Sequence, residues 1–321
     1  MYNFESVFKD RLESMLEFRT ARGYKRDTYL DHYIRFDRYC CDQNRDNPEL
    51  TLELVHEWLD TDNTYKLVKR TTAIRLFGKY LDAIGETAYV LPNKYATGGK
   101  PKPPYIFTDD EMAALFAAID RLEPTDSEPY MNEIAPVLFR LTYTCGLRPN
   151  EGRELLTENV NLDTGEILIT HTKRNKERIV VMSDDMLAMS REYNLRRSIF
   201  GARNLSFFPS ICGGPLTNEK VYAAFNKAWG AARRTLECPM LSPVRVYSLR
   251  HRFASACLNR WLDEGENLMT MLPYLRSYMG HDKLSETAYY IHILPENLMM
   301  SPGIDWEALN AVLPEVSKCP R

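Results

Sequence analysis

The chain has 321 residues, 44% apolar and 26% charged, with 15 glycines and 18 prolines; this excludes a disordered or fibrous protein and leaves room for two domains, each with its own core. Net charge is −3, so the overall balance lends no support to a nucleic-acid partner. No window approaches the roughly 20 apolar residues of a spanning helix, and Glu5, Lys9 and Asp10 interrupt the apolar run of a secretory leader, so a cytoplasmic protein without a membrane partner is expected.

Phe8, Leu12, Met15 and Leu16 fall at helical spacing, as do Tyr29, Tyr33, Phe36 and Cys40, with Gly23 and Lys25 marking the turn between the two helices. A third helix is expected from Leu52 to Leu59, and a fourth from Ala73, Leu76, Phe77, Tyr80 and Leu81. Basic residues gather here: Arg19, Arg22, Lys25 and Arg26 form one cluster, and Lys66, Lys69, Arg70, Arg75 and Lys79 another. A solvated helix face is the ordinary reading of such clusters. Asn93 to Tyr105, dense in Gly, Pro and Lys, reads as an extended linker, and its lysines suit a strap along a phosphate backbone.

Thr108 to Glu111 is a capping box, followed by the apolar stripe Met112, Leu115, Phe116 and Ile119. The next helix is expected to enter at Pro136 and to stop at Gly146. Ile167 to Ile169 and Ile179 to Met182 are β-rich runs around the polar loop Thr172 to Lys176, which predicts a small antiparallel sheet. Helical signals resume at Asp184 and recur near Asn218 to Arg233, Ser248 to Trp261 and Leu268 to Met279, with a short helix expected over Pro302 to Val316. Seven scattered cysteines without a CxxC pair, and six histidines without ligand spacing, argue against a disulfide framework and against a structural metal.

Four segments carry an unusual set of residues: Cys145 to Leu155 (CGLRPNEGREL), Thr172 to Arg178 (TKRNKER), Tyr247 to Phe253 (YSLRHRF) and Met279 to His292 (MGHDKLSETAYYIH). In order, they resemble the motifs of the tyrosine recombinase family, the phage-integrase, Xer and Cre type. Each alone is weak, whereas four in the right order are specific, and the resemblance spans Thr108 to His292. It implies a mainly α fold with a small antiparallel β-sheet, arranged as a two-domain DNA clamp. A helical core-binding domain would occupy 1–92, a linker 93–105, and a catalytic domain with a C-terminal helix 106–321.

Residue chemistry agrees with the resemblance. A phosphodiester under attack gains negative charge on its nonbridging oxygens, and the forked guanidiniums of Arg148 and Arg250 match those oxygens. Glu151 suits a supporting place, pairing with an arginine and holding the turn. The resemblance makes Lys173, rather than Lys176, the general acid; an unperturbed amine, at about 10.4, is protonated at neutral pH. The nucleophile must be a hydroxyl that can persist as an ester, and the family spacing from His281 points to Tyr290, with Tyr289 as runner-up. Neighbouring guanidiniums are expected to lower its ionisation from about 10. His281 matches the histidine that donates to the scissile phosphate. Tyr247 stands where the family most often has histidine, and a phenol donates a hydrogen bond but accepts a proton poorly. His251, which follows Arg250 as in the family, is read as structural.

The resemblance implies a site-specific recombinase that cleaves and rejoins DNA through a 3′-phosphotyrosyl link without a cofactor, in integration or excision of a mobile element. Its partner would be double-stranded DNA with inverted-repeat core sites, contacted by Lys66, Lys69, Arg70, Arg75, Lys100 and Lys102. It would act in the nucleoid-associated cytoplasm as a homo-oligomer, a tetramer on DNA joined through the C-terminal helix. Two rivals stand beside this reading: a type IB topoisomerase, which has no second DNA partner, and a non-catalytic DNA-binding protein on the same fold, for which Tyr247 is the hint.

Overall fold

The computed structural model describes residues 2–61, 67–93, 95, 104–170, 177–200, 205–236 and 244–293. The chain divides into two compact units, 1–102 and 103–321, each with its own apolar core. The division falls inside the segment read as a linker, of which residues 94 and 96–103 lie outside the described residues.

The first unit is built from α1 (Lys9–Ala21), α2 (Leu30–Asp42), α3 (Leu52–Asp60) and α4 (Leu67–Ala83). Its centre is aromatic: Phe8 meets Phe77 edge to face at 5.7 Å, and Phe36 meets Trp58 at 5.2 Å. The buried carboxylate of Asp37 accepts the backbone N–H groups of Glu5 and Ser6 and the Tyr2 hydroxyl, which ties the leading segment to α2. The Thr51 hydroxyl accepts the Leu54 N–H and caps α3.

The second unit begins with α5 (Asp109–Ile119), whose capping box is complete at Thr108 and Glu111. α6 (Met131–Thr144) starts five residues before the expected entry and carries Pro136 within it. Met131, Ile134 and Ala135 continue the buried stripe of Leu138 and Leu141, so burial outweighs the proline. As the sixth helical residue, Pro136 leaves the Asn132 carbonyl without its intrahelical donor, a local cost that the burial of this stripe offsets. α7 (Pro149–Arg153) follows, then β1 (Glu166–Ile169) and β2 (Arg178–Val181), antiparallel with Ile167 opposite Val180. The second strand thus runs one residue earlier than expected, from Arg178 and without Met182.

The remaining helices are α8 (Asp184–Phe200), α9 (Asn218–Thr235), α10 (Tyr247–Asp263), α11 (Leu268–Met279) and α12 (Leu284–Ala288), which runs into a 3₁₀ turn at Tyr289–Ile293. Phe107 packs on Trp229, and Phe139 on Phe225, in the larger core. Leu258, Leu272, Met279, Ala288 and Ile291 form a second one, joining α10 and α11 to the 3₁₀ turn. This smaller core fixes the segment that carries Tyr290. The helix expected over Pro302 to Val316 lies outside the described residues. Among the described residues, no helix is long and apolar enough to cross a membrane, and no group of His, Cys, Asp and Glu is arranged to hold a metal ion.

Candidate active site

The loop after α6 sets the first pair of charged groups. Gly146 takes φ +58, and a Cβ there would meet the Phe253 ring at 2.4 Å, so both the backbone and the packing require glycine. The turn buries Leu147 and delivers Arg148 as the N-cap of α7, with Pro149 in the first helical position. Glu151, at the third position, accepts the Arg148 backbone N–H at 2.8 Å and its guanidinium at 2.7 Å. Arg178, to which the sequence reading gives no role, donates two further bonds to the same carboxylate, at 3.0 and 2.7 Å. Burial alone would push the Glu151 carboxyl up; the hydrogen bonds and charges of Arg178 and Arg148 outweigh it and hold the group down at about 2. A charged residue heading an otherwise apolar strand was the sequence signal for Arg178.

Three successive carbonyls at the end of α11 gather three arginines. Arg178 donates to Tyr278 O at 2.8 Å, Arg250 to Met279 O at 2.6 Å and Arg148 to Gly280 O at 2.6 Å. The last carbonyls of a helix lack partners within it and carry the negative end of its dipole, so the helix terminus is a natural seat for guanidiniums. Gly280 ends the helix with φ +65. Arg250 is wholly buried and also donates to Gly146 O at 2.6 Å; burial, aided by the charge of Arg148, lowers it to about 10. Glu151 lies 3.9 Å from Arg250, so three guanidiniums surround one carboxylate, and the surplus positive charge suits an anion.

Beside this cluster stands Tyr290, 2% exposed, its hydroxyl 3.0 Å from Nδ1 of His251. Its ring stacks on that of His281, with centroids 6.2 Å apart and planes at 13°. The expected lowering of the phenol is reversed: burial raises it by more than Arg250 and Arg148 draw it down. His281 Nδ1 lies 2.8 Å from the Thr287 hydroxyl, and burial together with Arg250 pushes the imidazole down to about 3. His251, read from sequence as structural, instead touches the Tyr290 hydroxyl; burial and Arg250 lower it to about 4. Tyr247 packs edge to face against His251 at 4.8 Å. Tyr289 is 40% exposed and belongs to none of these contacts.

The structure thus brings together Arg148, Glu151, Tyr247, Arg250, His251, His281 and Tyr290, and adds Arg178 and Thr287. Lys173 lies outside the described residues, as do Lys66, Lys100 and Lys102. Of the other basic residues expected on DNA, Lys69 is exposed, whereas Arg75 donates to the carbonyls of Leu91 and Pro92 at 2.8 Å each. Arg70 departs from its expected place on DNA. It is 5% exposed, lies 4.2 Å over the Trp58 ring, and donates to Trp58 O and the Thr61 hydroxyl. An aromatic face and a helix-end carbonyl hold the cation in the core.

Comparison with known proteins gives a consistent picture. The sequence model of the phage integrase family matches residues 106–297. The provisionally named integrase/recombinase y4rE of Sinorhizobium fredii is 26% identical over 297 residues, which is 91% of this chain and 93% of that protein. Tyrosine recombinase XerD of Pseudomonas aeruginosa is 29% identical over 199 residues, 61% of this chain and 59% of that one. Among solved structures, XerH site-specific recombinase, in its post-cleavage complex with a palindromic difH substrate, superposes with a TM-score of 0.63 at 18% identity, covering 96% of this chain and 92% of that one. This last likeness is one of fold.

Proposed function

The chain belongs to the phage integrase family, and from that membership we propose that it recombines DNA at specific sites through a covalent link to Tyr290. The observation that carries the reading is the Tyr290 hydroxyl, seated beside Arg250 and His251 at the helix end where Arg148 and Arg178 also converge. Tyr290 Oη bonds to the scissile phosphorus, the bond from phosphorus to the 5′ oxygen breaks, and a 3′-phosphotyrosyl link remains. The departing oxygen takes its proton from Lys173. Attack by a 5′ hydroxyl of the partner duplex reverses these steps, so the bond energy is conserved and no cofactor is consumed.

Arg148 and Arg250 retain N–H donors beyond those given to carbonyls, and these bind the nonbridging oxygens. Arg178 and Glu151 position Arg148. With the Thr287 hydroxyl donating to Nδ1 of His281, the ring proton sits on Nε2 and is available to the phosphate. The buried, raised phenol stays protonated until the reaction removes its proton.

Duplex DNA with inverted-repeat core sites is the proposed partner; the related XerH fold was solved on a palindromic substrate. Lys66, Lys69, Arg75, Lys100 and Lys102 are the proposed backbone contacts. Exchange of two duplexes needs four cleavages and each chain supplies one nucleophile, so a tetramer joined through residues 302–316 is the proposed working unit. The kinship with an integrase/recombinase over nearly its whole length favours integration or excision of a mobile element in the nucleoid as its role.

The test is a nicked suicide duplex built from the DNA flanking the coding sequence, incubated with wild type, Tyr290→Phe and Tyr289→Phe. A denaturation-resistant adduct lost only in Tyr290→Phe is the expected result. Loss only in Tyr289→Phe moves the nucleophile by one residue, and DNA binding without any adduct overturns the catalytic reading.

A further inference from the structure

We infer that His251 is the base that takes the proton of Tyr290 when that hydroxyl attacks DNA. The inference rests on the reading of Tyr290 as nucleophile and adds the fate of its proton. Tyr247, one helical turn earlier on α10, faces the same way, since residues four apart share a helix face. The motif resemblance sets a histidine at 247, but the phenol found there is a poor proton acceptor near neutral pH. The resembling box carries histidines at both places, and this chain keeps only the second, His251, one turn along α10 and within reach of the site.

The geometry singles out this ring. Nδ1 of His251 is 3.0 Å from the Tyr290 oxygen, within direct transfer distance. Arg250 and Arg148, which also act on that hydroxyl, can only donate hydrogen bonds. His281 stacks on the face of Tyr290, and its Nδ1 is engaged with Thr287. Among the described residues, His251 is therefore the recorded neighbour of the hydroxyl with a nitrogen lone pair to offer. Burial and then the charge of Arg250 keep the imidazole neutral at pH 7, so the ring has one lone pair before DNA binds; the inference places it on Nδ1, with the ring proton on Nε2 and the Tyr290 hydroxyl donating. A scissile phosphate against Arg250 would offset that charge, the smaller of the two causes, and raise the basicity of the imidazole by that part alone.

The proton count balances. As the bond from Tyr290 to phosphorus forms, the phenolic proton passes to Nδ1 and His251 becomes an imidazolium ion. The 5′ oxygen leaves with a proton from a separate acid. On religation the imidazolium returns its proton to the departing phenolate, so the enzyme ends each cycle as it began.

The experiment measures single-turnover adduct formation on the suicide duplex at saturating protein, for wild type, His251→Ala, His251→Asn and Tyr290→Phe, with duplex affinity recorded for each. Asparagine can place an oxygen near the former Nδ1 and keep the hydrogen bond, but it cannot take a proton. A base predicts that both His251 variants lose about 100-fold or more in rate while binding DNA within about threefold of wild type. It also predicts that free imidazole restores part of the rate to His251→Ala, through the space left by the ring, and none to Tyr290→Phe. His251→Asn within about threefold of wild type would make the residue a positioning group and overturn the inference; so would a slow His251→Ala that imidazole leaves slow. An adduct that persists in Tyr290→Phe, or a wild type that forms none, would instead overturn the nucleophile assignment on which the inference stands.

Discussion

Glu151 carries a disproportionate share of the site's order, because its two oxygens serve a backbone N–H and two guanidiniums. Replacing it with Gln removes the charge that holds Arg148 and Arg178, and a loss of about 3 kcal/mol is expected from the urea midpoint of the catalytic unit, since breaking one side of a buried pair leaves the other charge uncompensated. The sign of the pH effect follows from the depressed carboxyl. Unfolded, Glu151 titrates at about 4.3; folded, at about 2. Its contribution is complete above the unfolded value and lost as pH falls toward the folded one, so the Glu151→Gln deficit should shrink between pH 5 and 2. The histidines act at higher pH with the same sign. His281, at about 3, and His251, at about 4, resist protonation that the unfolded chain accepts at about 6.5. Stability should therefore fall with acid from about pH 6.5 downward, and His281→Gln should flatten that slope in a series of thermal melts.

Among the elements, two glycine turns decide where the arginines stand. Gly146→Ala must place a Cβ against the Phe253 ring and hold a positive φ; a loss of about 2–4 kcal/mol is expected in chemical denaturation, with slower adduct formation because Arg148 hangs from that turn. The end of α11 is the second such point, since it supplies the acceptors for Arg148, Arg178 and Arg250. In the helical unit, α4 presents Arg70 inward and Lys69 outward. Arg70→Ala should destabilise that unit by about 2 kcal/mol through the lost ring contact and buried hydrogen bonds. Lys69→Ala should leave its unfolding midpoint in place and weaken only DNA affinity, read in a gel-shift titration with salt.

At the scale of the molecule, each compact unit encloses its own aromatic and aliphatic core. Fragments 1–93 and 104–321 should therefore each give a cooperative thermal transition when expressed alone. A fragment that melts without cooperativity would show that its core is completed by the other unit.

Much of this was legible in the sequence because it depends on local spacing. The longer helices of both units follow from apolar periodicity, the capping box from Thr108 and Glu111, and the strand pair from two β-rich runs, whereas the short α7 and α12 have too few turns to show a period. The family follows from four motifs in order, which also named Arg148, Arg250, His281 and Tyr290. What periodicity could not weigh was burial against local rules. Pro136 lies inside α6 because the stripe from Met131 continues through it, and Arg70, one cation in a basic run, lies under no solvent because Trp58 is beneath it. Partners distant in sequence decided the chemistry of the site. Arg178 reaches Glu151 across 27 positions and Tyr278 across 100, and His251 reaches Tyr290 across 39. The direction of the Tyr290 shift also belonged to the tertiary structure, since charge alone predicts a fall, whereas desolvation in a closed core produces a rise.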